Sequence, residues 1–226
     1  STRSSKRSDE RGARRDRLAY PSDRRPRREV NDMFLPYRFL NQVRRLVFRL
    51  TVAPFFGSFG RRSTVLRPSG IEGIANIHVG DRVYVSDGSL LAAVPHTGAG
   101  RCELRIGDGC RLGRNNHLYA TESVVFEDDV LTANNVYVSD NAHSFEDVDL
   151  PVRLQPIRQL APVRIGRGSW LGQNVCVIGA SIGKGCVVGS NSVVLDDVPD
   201  YTVVVGAPAR PIRRHDPAQR RWERVQ

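Results

Sequence analysis

The sequence predicts a mainly β protein, a hexapeptide-repeat solenoid of parallel strands preceded by a helical extension, and three observations carry that expectation. Apolar residues recur every six positions through most of residues 63–208, a period that neither the 3.6-residue helix nor the two-residue strand produces. Over residues 31–62 the apolar spacing is instead three and four, with arginines in between. Charge is concentrated at the two ends: of a net +10 over 226 residues, residues 1–30 hold +6 and residues 209–226 hold +4, leaving a neutral body.

Residues 1–30 are rich in Arg, Ser and Asp with few apolar groups, too few to offset the entropy of ordering the chain, and they read as a disordered basic tail. In residues 31–62, Leu35, Phe39, Val43, Leu46, Val47 and Leu50 form one stripe, with Arg38, Arg44, Arg45 and Arg49 between them. This is a basic amphipathic helix, which either packs on its own protein or lies on an anionic membrane surface. Pro54, Gly57 and Gly60 then break the helical pattern.

From Ser63 the six-residue period takes over. Its anchors are Val79, Val85 and Leu91, then Ile106, Leu112 and Leu118, then Phe126, Thr132 and Val138, then Ile165, Leu171 and Val177, then Ile182, Val188 and Val194. Glycine often follows the anchor, as at Gly80, Gly107 and Gly183, and a small or β-branched residue such as Val83, Cys110 or Ser169 stands four places on. Three such units close one triangular coil, each unit being a short strand and a turn. The anchors thus predict five coils. The period is interrupted between Leu91 and Ile106, and again over residues 139–164, a loop of functional length. Residues 209–226 read as a basic C-terminal tail.

The neutral body argues against nucleic acid as a partner, since a phosphate-binding groove needs its cations on the folded surface. Cys102, Cys110, Cys176 and Cys186 include no C-x-x-C pair and suit no disulfide framework or zinc finger. Cys110 and Cys186 fall at the small inward position and read as packing. No apolar run has the length of a secretory signal core or a membrane span, so the expectation is a soluble, reduced, cytoplasmic protein.

The stretch VRIGRGSWLGQNVCVIGASIGKGCVVGSNSVVLDDVPDYTVVVGAPARPIRR resembles the C-terminal half of hexapeptide-repeat acyltransferases, the galactoside, maltose, nodulation-factor and lipopolysaccharide-biosynthesis O-acetyltransferases. The run VVFEDDVLTANNVYVSDNAHSFED resembles their preceding coil and the start of their catalytic loop. The resemblance covers about residues 63 to 214, with gaps. It implies a left-handed parallel β-helix, a homotrimer, and active sites between neighbouring subunits that use acetyl-CoA.

Moving an acetyl group from a thioester to a hydroxyl needs a base, and histidine is the side chain whose ordinary pKa lies near working pH. His143, in S-D-N-A-H at the start of the long loop, matches the family's catalytic histidine. Asp140, Asn141 and the outward-facing His117 are candidates for the acceptor site, and Asp140, Glu146 or Asp147 for orienting the imidazole. Trp170 matches a family tryptophan near the coenzyme. The resemblance further places acetyl-CoA along backbone and small residues at Gly172, Gly179, Ala180, Gly189 and Ser190, with Arg210 and Arg213 near its phosphates, a task for which forked guanidinium donors are suited. Where galactoside-type members carry Thr-Lys-Asp, this chain has Leu195-Asp196-Asp197, so one phosphate contact is expected to be missing.

These residues predict an acetyl-CoA-dependent O-acetyltransferase acting on a sugar or glycan precursor, with residues 1–62 either contacting an anionic inner membrane face or only keeping the protein soluble. A xenobiotic acetyltransferase of the same family and an inert trimeric scaffold are the alternatives. A zinc enzyme of the γ-carbonic anhydrase type requires two histidines five residues apart, and no pair here has that spacing; no metal is expected.

Overall fold

The computed structural model describes residues 35–225, with side chains from Phe39 onward. The expected disordered tail, residues 31–34 and Gln226 lie outside the described residues. The chain divides into two compact units, residues 1–40 and 41–226. Residues 35–40 open helix α1 (Leu35–Thr51), whose remainder belongs to the second unit.

The second unit is a three-sided prism of parallel strands, each only two to four residues long along the solenoid. One buried anchor per hexapeptide stabilises by about 2 kcal/mol, less than the cost of ordering six backbone residues at about 1 kcal/mol or more each. A coil therefore persists only when stacked on its neighbours. The stacking is in register on every face. On the first, Phe59 lies beside Val79, Val79 beside Ile106, Ile106 beside Phe126 and Phe126 beside Ile165. On the third, Ile71, Leu91, Leu118, Val138, Val177 and Val194 form one unbroken column. All fifteen anchors read from the sequence are at most 3% exposed. The polar one, Thr132, is accommodated because its Oγ1 accepts hydrogen bonds from the Gly113 N–H and the Asn116 side chain.

The corners turn through residues that tolerate left-handed backbone. Asn115, Asn135, Asn174 and Asn191 all have φ between 55° and 60°, and each donates its side-chain amide to the next, at 3.3, 3.0 and 2.9 Å. This ladder ties four coils together at the corner between the second and third faces. At Gly113, beside it, an added Cβ would stand 2.2 Å from the Ala133 carbonyl oxygen.

Three expectations need correction. The solenoid starts at Ser58, not residue 63, because Phe59, Val65 and Ile71 already follow the six-residue period and stack on the next coil. With Val198 and Val204 continuing beyond Val194, the prism has six complete coils and part of a seventh, not the five that the anchors predict. Helix α1 does not dock through the stripe assigned to it. Phe48, from outside that stripe, packs its ring 6.1 Å from Phe56 and 6.0 Å from Phe59, and Arg45 lies over the Tyr84 ring. Leu46 and Leu50 are 59% and 69% exposed.

The third correction concerns residues 209–226, which form no tail. After Thr202–Val205 the chain reverses, and strands Arg210–Asp216 and Arg221–Arg224 add to the second face as an antiparallel hairpin. Asp216 stabilises the hairpin turn by accepting the Ala218 and Gln219 N–H groups, and Arg221 pairs with Glu223.

Candidate active site

The long interruption leaves the prism at the corner between the third and first faces. Strand Asn141–His143 pairs antiparallel with Ile157–Gln159, setting His143 opposite Ile157. The root of this hairpin is a buried carboxylate. Asp140, 0% exposed, accepts the Thr121 N–H and hydroxyl and the Asn141 amide through Oδ1, and the Glu122 and Ser123 N–H groups through Oδ2. Its oxygens are thus fully used in tying the hairpin to the coil beneath, which corrects the assignment of Asp140 to the acceptor site. Gln159 completes the root. Its Oε1 accepts from Thr97 and Thr121, while its Nε2 donates to the Asp140 and Leu160 carbonyls.

Beside the hairpin, a cleft of about 460 Å³ opens on the outer surface of the third face. His117 and Tyr137 are register neighbours there, their rings 5.1 Å apart, and Tyr119 stands 6.1 Å from His117. Asn141, His143 and Ile157 close the other side. Three predicted residues, His143, Asn141 and His117, therefore share one cleft. Burial holds the His117 pKa below its ordinary value, opposed by the Glu72 charge, so this imidazole is neutral at pH 7. The His143 side chain is exposed and hydrogen-bonds to no other described residue. None of the three candidate acids orients it. Asp140 is engaged as above, Glu146 accepts the Phe145 N–H and pairs with Arg158 at 3.1 Å, and Asp147 accepts the Asp149 N–H.

Tyr119 and Tyr137 were missed by sequence reasoning. Their signal is positional: each lies one residue from an inward anchor, Leu118 or Val138, and so faces outward beside His117.

The residues proposed for the coenzyme fall on several surfaces. Trp170, 46% exposed, is on the second face between Leu131 and Val187. Gly172, Gly189 and Ser190 follow the corner between the second and third faces, where an added Cβ on Gly172 would stand 2.7 Å from the Ser190 nitrogen. Gly179 and Ala180 lie at the next corner, under Leu160 of the long loop: Gly179 has φ +57° and donates to the Ser139 carbonyl, and Ala180 is buried. Arg210 and Arg213 are exposed on the returning strand. Arg210 is paired with Asp196 at 3.1 Å, so this acid takes up one of the predicted phosphate ligands, weakly because both are exposed. Within one copy, the His143 cleft and Trp170 occupy different faces.

Three of the four cysteines are held as thiols by their burial. Burial pushes the Cys110 thiol up to about 12 and Cys102 to about 11, and raises Cys186 as well. Among the described residues no group of three or more His, Cys, Asp or Glu side chains is arranged to hold a metal ion.

A triangular hexapeptide prism that sets a histidine-bearing hairpin beside an aromatic cleft is an architecture shared with proteins described as acyl- or acetyltransferases. Residues 103–140 and 162–196 match the family described as the hexapeptide repeat of succinyl-transferase. The chain is 34% identical over 200 residues to a probable acetyltransferase of Mycobacterium tuberculosis, covering 86% of this chain and 62% of that protein. It is 33% identical over 176 residues to a putative lipopolysaccharide biosynthesis O-acetyl transferase of Escherichia coli, covering 74% of this chain and 87% of the relative. Among solved structures, the N-acyltransferase AntD of Bacillus cereus, in complex with dTDP and coenzyme A, shares the fold with a TM-score of 0.62 at 19% identity, over 77% of this chain and 90% of that one. A hexapeptide-repeat acetyltransferase of Vibrio cholerae, complexed with acetyl coenzyme A, does so with a TM-score of 0.52 at 23% identity, over 79% and 87%. The chain belongs to the hexapeptide-repeat acetyltransferase family.

Proposed function

We propose that the protein transfers the acetyl group of acetyl-CoA to a hydroxyl of a sugar or glycan precursor, with His143 as general base. The observation that carries this reading is the exposed His143 imidazole at the edge of a cleft lined by the aromatic and polar side chains of His117, Tyr119, Tyr137 and Asn141 together with apolar Ala142, Ile157 and Ile178, and by no carboxylate. Such a lining suits an uncharged sugar ring, which stacks on aromatic faces and exchanges hydrogen bonds with hydroxyl and amide groups.

Acetyl-CoA supplies the acyl group as an activated thioester. His143 takes the proton of the acceptor hydroxyl as that oxygen forms its bond to the acetyl carbon. The carbon–sulfur bond breaks, and the proton passes from His143 to the departing thiolate, which restores the neutral imidazole. Because Trp170 and the His143 cleft lie on different faces of one copy, the reading includes a homotrimer of left-handed prisms. There the second face of one copy would meet the third face of its neighbour, and the coenzyme would lie along Trp170, Gly172, Gly189 and Ser190 with its thioester at the neighbour's His143.

Thiol release from acetyl-CoA, measured against a panel of free sugars, nucleotide sugars and the matching amino sugars, tests the reading. Hydroxyl acceptors are expected to support turnover. Activity with the amino sugars alone would overturn O-transfer, and no acceptor with no coenzyme binding would overturn acyl transfer altogether.

The reading also places the protein in the cytoplasm, at the inner face of the membrane. No described helix is long and apolar enough to cross a bilayer, but Leu46, Val47 and Leu50 are exposed on α1 beside Arg44 and Arg49, and each cation near an anionic surface adds about 1 kcal/mol of attraction. The protein is expected to sediment with vesicles containing phosphatidylglycerol and not with pure phosphatidylcholine vesicles. Leu46→Asp with Leu50→Asp should abolish sedimentation without changing turnover on a soluble acceptor.

A further inference from the structure

The six-residue period is interrupted twice, and both interruptions leave the prism at the same corner. The shorter, residues 94–102, follows strand Leu90–Ala93, and the longer follows Tyr137–Ser139. Both strands belong to the third face, with His117–Ala120 between them. Insertions gathered along one side of a solenoid often mark its binding side. Here the two also touch, since the Thr97 hydroxyl donates to Gln159 at the root of the His143 hairpin.

The shorter loop carries the aromatic lining of the cleft further. The His96 ring stands 6.2 Å from Tyr119, Tyr119 is 6.1 Å from His117, and His117 is 5.1 Å from Tyr137. A single pyranose ring stacks on one aromatic face, so this succession offers more surface than one sugar unit uses. Thr97, the next residue, lines a separate hollow of about 330 Å³ between the loop and the hairpin root, shared with Arg101 and Glu122. An added Cβ on Gly98 or Gly100 would meet nothing within 4 Å, so the arch of the loop stands clear of the prism. Glu122 is fixed through its N–H, which Asp140 accepts. Its half-buried carboxylate makes no hydrogen bond or ion pair among the described residues, and neither does the exposed His96 side chain.

We infer that loop 94–102 builds a second sugar subsite, and that the acceptor is an oligosaccharide of two or more units. The unit that receives the acetyl group lies beside His143, over His117 and Tyr137. Its neighbour stacks on Tyr119 and His96 and donates a hydroxyl to Glu122, a charge-assisted bond that the unpartnered carboxylate is placed to accept. This inference rests on the transfer reading above and narrows its acceptor from any sugar hydroxyl to one carried on a glycan chain.

Binding of the full chain to an array of immobilised glycans, in which each monosaccharide is presented alone and within its di-, tri- and tetrasaccharides, tests the subsite. The longer glycans of one series are expected to bind about tenfold or more tightly than their monosaccharide, the gain from one stacked ring and one charge-assisted hydrogen bond. His96→Ala should cut that advantage by about threefold or more, and Glu122→Ala by about tenfold. The ratio of long to short glycan is the readout that a merely structural role would not move, and melting temperatures should stay at the parent value because neither side chain is hydrogen-bonded within the protein. Equal binding of short and long glycans, no binding of any glycan, or an advantage that survives both substitutions overturns the subsite. Calorimetry with acetyl-CoA keeps the two readings apart: coenzyme binding without any advantage of length removes the subsite alone, whereas no coenzyme binding by the wild type removes the transfer reading.

Discussion

Replacing His143 with alanine is expected to lower acetyl transfer by about 100-fold or more, the range lost with a positioned general base, while coenzyme and acceptor affinities stay close to those of the parent. The structure makes this a clean test. The side chain is exposed and hydrogen-bonds to no other described residue, so its removal opens no cavity, and stability should change by no more than about 0.5 kcal/mol. A fall in kcat with KM preserved is the signature of a contact made only in the transition state. Undiminished kcat would remove His143 from the chemistry and leave His117, the other imidazole of the cleft, as the base to be tested.

The second large effect is structural and is expected at Asp140. Its carboxylate is buried and accepts five hydrogen bonds. Asp140→Ala leaves the Thr121, Glu122 and Ser123 N–H groups without acceptors, and at about 1–3 kcal/mol for each buried donor so orphaned, with partial relief from water, a loss of about 3–5 kcal/mol is expected on chemical denaturation. Asp140→Asn keeps the shape and one acceptor oxygen and should cost roughly half as much, about 2 kcal/mol. Because Asp140 immediately precedes the strand that carries His143, amide hydrogen exchange across Asn141–His143 and Ile157–Gln159 should quicken in the alanine variant, and kcat should fall with it. Unchanged exchange at those strands would show that the hairpin is held from elsewhere, with Gln159 the next residue to replace.

The solenoid was legible because its signal is one-dimensional. An inward anchor every six residues survives any uncertainty about which coil touches which, and each of the fifteen positions is buried in the structure. The first coil was missed because Arg61 and Arg62 interrupt the apolar texture and the preceding helical spacing runs up to it, although Phe59, Val65 and Ile71 keep the period. The C-terminal hairpin was missed because its strands are dominated by charge: composition reports solvation, while cross-strand partners such as Arg214 and Glu223 become visible only when the chain is folded back. In the candidate site, local position brought out His143, Asn141 and His117. Asp140 was misread because burial at a prism corner depends on the coil below it, through Thr121 and Ser123, seventeen to nineteen residues away. The coenzyme residues, close together in sequence, separate because successive hexapeptides occupy successive faces.

The folded-back hairpin also closes one edge of the solenoid, that of its second face. A stack of parallel coils is open-ended by nature, since its last strands present the same unpaired amides and carbonyls that each coil offers the next. Here Thr202–Val205 receives an antiparallel partner instead of another coil, and the outermost strand, Arg221–Arg224, brings two arginines to the rim. A second molecule meeting that rim end-on encounters strand direction and charge both unsuited to continuing the stack. Removing residues 209–226 would therefore leave the outer edge of Thr202–Val205 unpaired, and what a truncation of this kind puts at risk is resistance to edge-to-edge association on that face.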